Sequence, residues 1–301
     1  MNRLATRPLL ALLAAAALLS ACSPSDGKAS SASRTTTPKA SESSSASPTA
    51  EACAKDSLKT QSPGKLTIAT DKPVYPPWFI DDKPKNGKGF EGAVAAAVAQ
   101  KLGFTPAEVT WTRVPFNNVF KPTPKNWDFD INEFSITAPR KQALDFSSPY
   151  YSVAQAVVTT KGSKAARTKS VADLKRLTIG AQVGTTSLQA INSVIAPSKR
   201  PRVYNSNSDV VKALENGQID ALVTDLPTAF YMASAQLDKG KIVGQLANLS
   251  ETPPEQFGLV LDKNSPLTTC VSKAVDALRS DGTLNSLVDR WLSQGGAPVL
   301  K

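Results

Sequence analysis

From residue 66 onward the chain alternates between two hydrophobic patterns: short β-prone runs that stop at polar or ionisable residues, and longer stretches with apolar positions at helical spacing. Residues 66–70, L-T-I-A-T, predict a strand that ends at Asp71 and runs into a proline- and aromatic-rich loop, K-P-V-Y-P-P-W-F. Residues 90–101, F-E-G-A-V-A-A-A-V-A-Q-K, predict an alanine-rich helix stopped at Gly103. A strand at 109–111 follows, then a loop and turn at 116–120. The segment 129–134, F-D-I-N-E-F, predicts a buried strand leading through the turn Ser135-Ile136-Thr137-Ala138-Pro139 to Arg140. Pro139 marks the bend, because the residue before a proline is pushed out of helical geometry.

After Tyr151 the pattern restarts. Strands are predicted at 155–160, 177–181, 203–204, 219–225 and 257–261. Helices are predicted at 171–175, 187–195, 208–216, from Leu226-Pro227 to Leu237, and at 267–279 and 284–291, with Gly282 as the break between the last two. Strand, helix, strand in this order argues for βαβ units and a mainly parallel sheet, hence an α/β fold.

The first residues follow neither pattern. Residues 1–22 carry Arg3 and Arg7, then an apolar stretch too short to span a bilayer, then small residues, which predicts a cleaved export signal. Its ending, L-S-A-C, resembles the lipobox of bacterial lipoproteins and implies lipid on Cys22. Residues 23–59 predict a disordered tether, because Ser, Thr, Ala and Pro dominate it and cannot bury enough surface to offset ordering. Cys53 and Cys270 then remain as an even pair in an exported chain, which predicts a bridge between them.

Composition removes several chemistries. Among 301 residues there is no histidine and there are three cysteines, so the usual neutral-pH base, the common zinc ligand and the Ser-His and Cys-His nucleophiles are missing. No metal site and no cofactor is expected. A net charge of +10 is spread along the chain without a basic run interleaved with aromatics, which argues against a nucleic-acid groove.

What remains is a set of strands that end in binding groups. Arg140 presents a planar fork of donors suited to a carboxylate. Gly184-Thr185-Thr186, ahead of a helix, presents hydroxyls and N-terminal amides together, which favours an anion and also suits an ordinary cap. Asp225 closes the strand at 219–225.

Along nearly all of residues 60–297 the chain resembles the extracellular solute-binding proteins of ABC importers, in the family that handles polar amino acids. The matching pieces lie in order: L-T-I-A-T-D with P-P-W shortly after, G-F-E-G, F-D-I-N-E-F-S-I-T-A-P-R, L-D-F-S-S-P-Y-Y, S-V-A-D-L-K, I-G-A-Q-V-G-T-T-S, A-L-E-N-G-Q-I-D-A-L-V-T-D and D-G-T-L-N-S-L-V-D-R-W. The resemblance implies a two-lobed periplasmic-binding-protein-like fold of type II, with two hinge strands and the ligand in the cleft. Lobe one would comprise 60–153 and 256–301, and lobe two 154–255. It implies that Arg140, helped by Ser135, Gly184, Thr185 and Thr186, takes the ligand α-carboxylate, and that Asp225 takes the α-ammonium. Tyr75, Trp78 and Phe116 would cover the ligand side chain, with Asp71 at the floor. Glu133 departs from the family, standing where many relatives have a small residue, and Asp71 is followed by one more residue than expected before Tyr75. With Glu133, Asp71, Asp225 and the aromatics against Arg140, the side chain taken is expected to be cationic or an amide.

The expected function is a lipid-anchored, non-enzymatic, monomeric receptor on the outer face of the cell membrane that delivers an amino acid to an ABC permease. Two alternatives are an enzyme on the same fold, like the dehydratases that act on cyclohexadienyl acids, and a ligand-sensing module.

Overall fold

The computed structural model describes residues 52–247, 254–293 and 295–301. The export signal, Cys22 and the tether as far as residue 51 lie outside the described residues. The tether was expected to run to residue 59, and here the structure differs. Lys55–Ser57 is a 3-10 turn, Cys53 is bonded to Cys270 with Sγ atoms 2.03 Å apart, and Leu58 packs on the core. The polar composition of this stretch conceals a covalent anchor and one apolar contact that together hold it down.

The strands are, in chain order, β1 (Leu66–Thr70), β2 (Val109–Arg113), β3 (Phe129–Asp130), β4 (Leu144–Phe146), β5 (Tyr151–Val153), β6 (Gln155–Thr160), β7 (Ile179–Gln182), β8 (Arg202–Tyr204), β9 (Ala221–Asp225), β10 (Gly240–Leu246), β11 (Glu255–Phe257), β12 (Val260–Asp262) and β13 (Val299–Leu300). The α-helices are α1 (Phe90–Lys101), α2 (Ala138–Ala143), α3 (Val171–Leu174), α4 (Thr186–Ala190), α5 (Asn207–Glu215), α6 (Leu226–Tyr231), α7 (Thr268–Ser280) and α8 (Thr283–Trp291). Single π turns, Ile191–Ile195 and Met232–Gln236, continue α4 and α6.

Two sheets result, ordered β2-β1-β3-β12-β4 and β13-β10-β6-β9-β7-β8. Each contains three adjacent parallel strands, as the βαβ pattern predicts, and antiparallel partners that it does not: β12 opposes β3 and β4, while β6 opposes β9 and β10. The two lobes are joined by an antiparallel ribbon of β5 and β11, in which Tyr151 faces Phe257 and Val153 faces Glu255. Lobe-one helices α1, α7 and α8 cover their sheet with a core that includes Phe90, Val94, Val98, Val271 and Val275.

Two expectations are corrected. The end of the chain, 295–301, does not stay with lobe one: β13 adds to β10, Leu300 enters the lobe-two core, and the Lys301 carbonyl accepts from Val171 N. A two-residue strand after a polar stretch carries too little periodicity to assign. The buried strand expected at 129–134 stops after Asp130, because Glu133 adopts φ 53°, in the left-handed region. The chain rejoins β-structure only at Ser135, which bridges to Phe257.

Candidate ligand-binding cleft

The strand ends of both lobes face a cleft of about 360 Å³. Its lining includes Asp71, Tyr75, Trp78, Phe116, Glu133, Ser135, Arg140, Thr185, Thr186 and Asp225. Gly184 completes the set through its carbonyl, which meets Arg140. Residues far apart in the chain converge because each lies at the carboxyl end of a strand or in the turn that follows it, where an open α/β sheet offers its crevice.

Arg140 sits in the first turn of α2, where the Thr137 hydroxyl caps its amide at 3.3 Å. The guanidinium lies over the rings of Phe120 (4.9 Å) and Phe116 (5.6 Å), the latter stacked on Phe134. Nη1 donates to the Ser135 carbonyl at 2.8 Å and Nη2 to the Gly184 carbonyl of the other lobe at 2.9 Å. A guanidinium has five N–H groups, so these two bonds fix its plane without exhausting it. Burial lowers its pKa to about 10, against the opposing pull of Glu255 and Asp225, and it stays charged at neutral pH. Phe116, expected to cover the ligand, also acts as the platform under this arginine.

Thr185 is engaged as a helix cap, donating to the Gln182 carbonyl (2.7 Å) and accepting from Leu188 N (3.2 Å). Ser135 donates to Glu255 at 2.5 Å, so its 3.1 Å bond with Thr186 runs from Thr186 to Ser135. Gln155 donates to Asp225 (2.6 Å) and to Glu255 (2.9 Å), and accepts from Ser187 (2.7 Å). Glu255 was not foreseen. It stands on hinge strand β11 and ties Ser135 of lobe one to Gln155 at the start of lobe two, so Asp225 and the hinge share one hydrogen-bond network.

On the side-chain face, Thr228 donates to Glu133 at 2.7 Å and accepts from Trp78 Nε1 at 2.7 Å. An indole only donates, so the Thr228 hydrogen goes to Glu133. Trp78 is 2% exposed and packs edge-on against Phe90, Tyr151 and Phe257, which makes it a wall rather than a mobile cover. Tyr75 meets Ser208 across the cleft at 3.0 Å and lies 6.0 Å from Tyr231. Asp71 accepts from the amides of Lys72 (2.7 Å) and Phe116 (3.3 Å), which holds its carboxylate at the floor. These contacts between lobes describe a closed cleft.

The electrostatics are lopsided. Asp71, Glu133 and Asp225 line the cleft with Arg140 and Lys72, and Lys72 is exposed. Burial pushes Glu133 well above the usual carboxylate range, reinforced by Asp225 and Glu91, and burial with Glu255 does the same to Asp225. Behind them Glu91 is fully buried, receives the Glu133 amide and the Tyr150 hydroxyl on one oxygen, and has no partner for the other among the described residues. Burial raises its pKa from 4.5 to about 7, and Asp130, with Glu91 and Asp71 nearby, is also pushed well up. The folded state therefore holds this proton more tightly than the unfolded chain. The stabilisation is full below pH 4.5 and is lost as pH rises through about 7. We expect the melting temperature of the ligand-free protein to fall across that window, and Glu91→Gln to remove the Glu91 share of the slope in a pH series of thermal scans.

Residues 66–294 match the family model of bacterial extracellular solute-binding proteins, family 3, over most of the folded region just described. The chain belongs to this family. Relatives with this architecture bind amino acids. The "Arginine-binding periplasmic protein" of Mannheimia haemolytica is 27% identical over 232 residues, covering 75% of this chain and 90% of that protein. A solved structure titled "An ancestral arginine-binding protein bound to arginine" is 31% identical with a TM-score of 0.62, covering 76% of this chain and 99% of that one. The crystal structure of an ancestral amino acid-binding protein described as a precursor of cyclohexadienyl dehydratase is 29% identical with a TM-score of 0.62, covering 76% and 95%. The chain is thus a solute-binding protein of the extracellular type, similar to proteins named for the amino acids they bind. Among the described residues no helix is long and apolar enough to cross a membrane.

Proposed function

We propose that the protein captures a basic amino acid between its lobes and delivers it to an ABC permease, held at the membrane by lipid on Cys22. In this reading Arg140 takes the α-carboxylate together with the Thr186 amide region, Asp225 takes the α-ammonium, and Glu133 with Asp71 takes a cationic side chain between Tyr75 and Trp78. The observation that carries it is the charge of the cleft: one half-buried guanidinium shares it with Glu133 and Asp225, both half-buried and both pushed by desolvation toward their protonated forms. A ligand with one carboxylate and two cationic groups matches this set, because each buried charge then gains a partner. Binding relatives named for arginine and histidine are in keeping with this ligand class.

The test is Glu133→Gln, which keeps the shape of the side chain and removes its charge. We expect arginine or lysine affinity to drop by about tenfold or more, as loss of one charged hydrogen bond costs about 1.5–3 kcal/mol, while glutamine changes little. Calorimetric titration of both ligands decides it; equal losses would remove the charge argument.

A dehydratase acting on cyclohexadienyl acids is the second reading. It rests on the same Glu133, whose high proton affinity opposite Arg140 suits a general acid beside a carboxylate anchor. Turnover of prephenate or arogenate by the purified protein would favour it.

A further inference from the structure

Glu133 reaches the cleft by way of a backbone conformation that a glutamate rarely adopts. Its φ of 53° is left-handed, a region costly for a residue with a Cβ, and such strain persists only when the surroundings enforce it. Several contacts enforce it here. The chain is fixed before the turn by Ile131 N on the Ala69 carbonyl at 3.0 Å and after it by Gly258 N on the Phe134 carbonyl at 3.0 Å. Between these clamps the Glu133 amide donates to Glu91 Oε1 at 2.7 Å. Tyr150 donates its hydroxyl to that same oxygen.

Glu91 is itself rigidly placed. It lies in the first turn of α1, with its amide on the Trp78 carbonyl at 3.0 Å and Phe90 N on the Pro77 carbonyl at 2.8 Å. Gly89, at φ 89°, lets the helix start come this close, because a Cβ there would collide with the Trp78 carbonyl oxygen. The same loop therefore supplies Trp78, which sets the hydrogen on Thr228, and carries Glu91, which sets the backbone of Glu133. Both ends of the Glu133 residue, amide and carboxylate, are aimed from one structural unit.

We infer that Glu91, buried beneath the cleft, is the positioning residue that aims Glu133 and thereby sets the preference for cationic over uncharged amino acids. The inference rests on the reading of Glu133 as the partner of a cationic side chain. It differs from a through-space effect of the Glu91 charge, and two substitutions separate the possibilities. Glu91→Gln keeps the chain length and a carbonyl oxygen that can accept from the Glu133 amide and from Tyr150, and removes the charge. Glu91→Asp keeps the acid and withdraws it by one methylene, out of reach of the Glu133 amide.

In the purified protein, the arginine-to-glutamine affinity ratio measured by calorimetry is expected to fall about tenfold in Glu91→Asp and to stay within about twofold of the unmodified protein in Glu91→Gln. Hydrogen exchange of the Glu133 amide, read by NMR, is expected to be slow in the unmodified protein and in Glu91→Gln, and fast in Glu91→Asp. A ratio preserved in Glu91→Asp, or lost in Glu91→Gln while Glu91→Asp retains it, would overturn the inference. If the unmodified protein shows no preference for arginine, the reading of the cleft fails instead. The exchange rates then decide the positioning role alone: a Glu133 amide equally protected in all three proteins overturns it, and loss confined to Glu91→Asp upholds it.

Discussion

Arg140→Ala is expected to abolish detectable amino-acid binding while the protein stays folded, and Asp225→Ala is expected to do the same. An amino acid leaving water for a closed cleft brings two opposite charges, and either substitution leaves one of them buried without a partner. Breaking a buried, hydrogen-bonded ion pair costs about 3–5 kcal/mol, or roughly 140-fold to 4,000-fold in affinity. Arg140 has a second role that strengthens the effect, because its fork also links the Ser135 carbonyl of one lobe to the Gly184 carbonyl of the other. Arg140→Lys is expected to recover little, since a point ammonium cannot serve two carbonyls and a carboxylate in one plane. Asp225→Ala frees Gln155 from one of its two acids and leaves the Glu255 contact, so the hinge network survives while the acid proposed for the ammonium is lost. Titration calorimetry with arginine, with far-ultraviolet circular dichroism as the folding control, checks both; retained affinity in either variant would mean that the ligand contacts are assigned to the wrong residues.

Removing the Cys53–Cys270 bridge has the largest expected effect on stability. The bridge joins residues 217 apart, so in the unfolded chain it closes a loop that spans nearly the whole folded region. Loss of a bridge of this kind costs about 2–5 kcal/mol, largely through the entropy restored to the unfolded state. For a folded region of this size that corresponds to a fall in melting temperature of about 4–20 °C. Cys270 lies on α7 and is buried in the lobe-one core, and neither cysteine lines the cleft. The paired Cys53→Ser and Cys270→Ser substitution is therefore expected to lower the melting temperature and leave arginine affinity within about twofold. Unchanged thermal scans with and without the bridge would contradict the argument.

The elements that the hydrophobic pattern predicted are those with a sustained period. The strand at 66–70 and the helix at 90–101 match β1 and α1 residue for residue. The strands missed, β4, β5, β10 and β13, are short or carry glycine and polar residues, and they form because a neighbouring strand already presents unpaired backbone groups. At 129–134 the pattern misled, since a left-handed residue inside a strand-like segment leaves no mark on periodicity.

By itself the sequence determined that the chain is an α/β protein whose strand and helix pattern restarts after Tyr151, that Arg140 and Asp225 are opposite charges in the segments that follow or close strands, and that Cys53 and Cys270 form a pair. Those features depend on local periodicity, residue chemistry and compartment. The partners of Glu133 were decided only in three dimensions: Thr228 lies 95 residues away from it, and Trp78 lies 150 residues from Thr228. So were Glu255 at the hinge and Glu91 beneath the turn, which the hydrophobic pattern does not single out. Their chemistry comes from burial and from the charges brought beside them, and a linear pattern encodes neither distance nor dielectric.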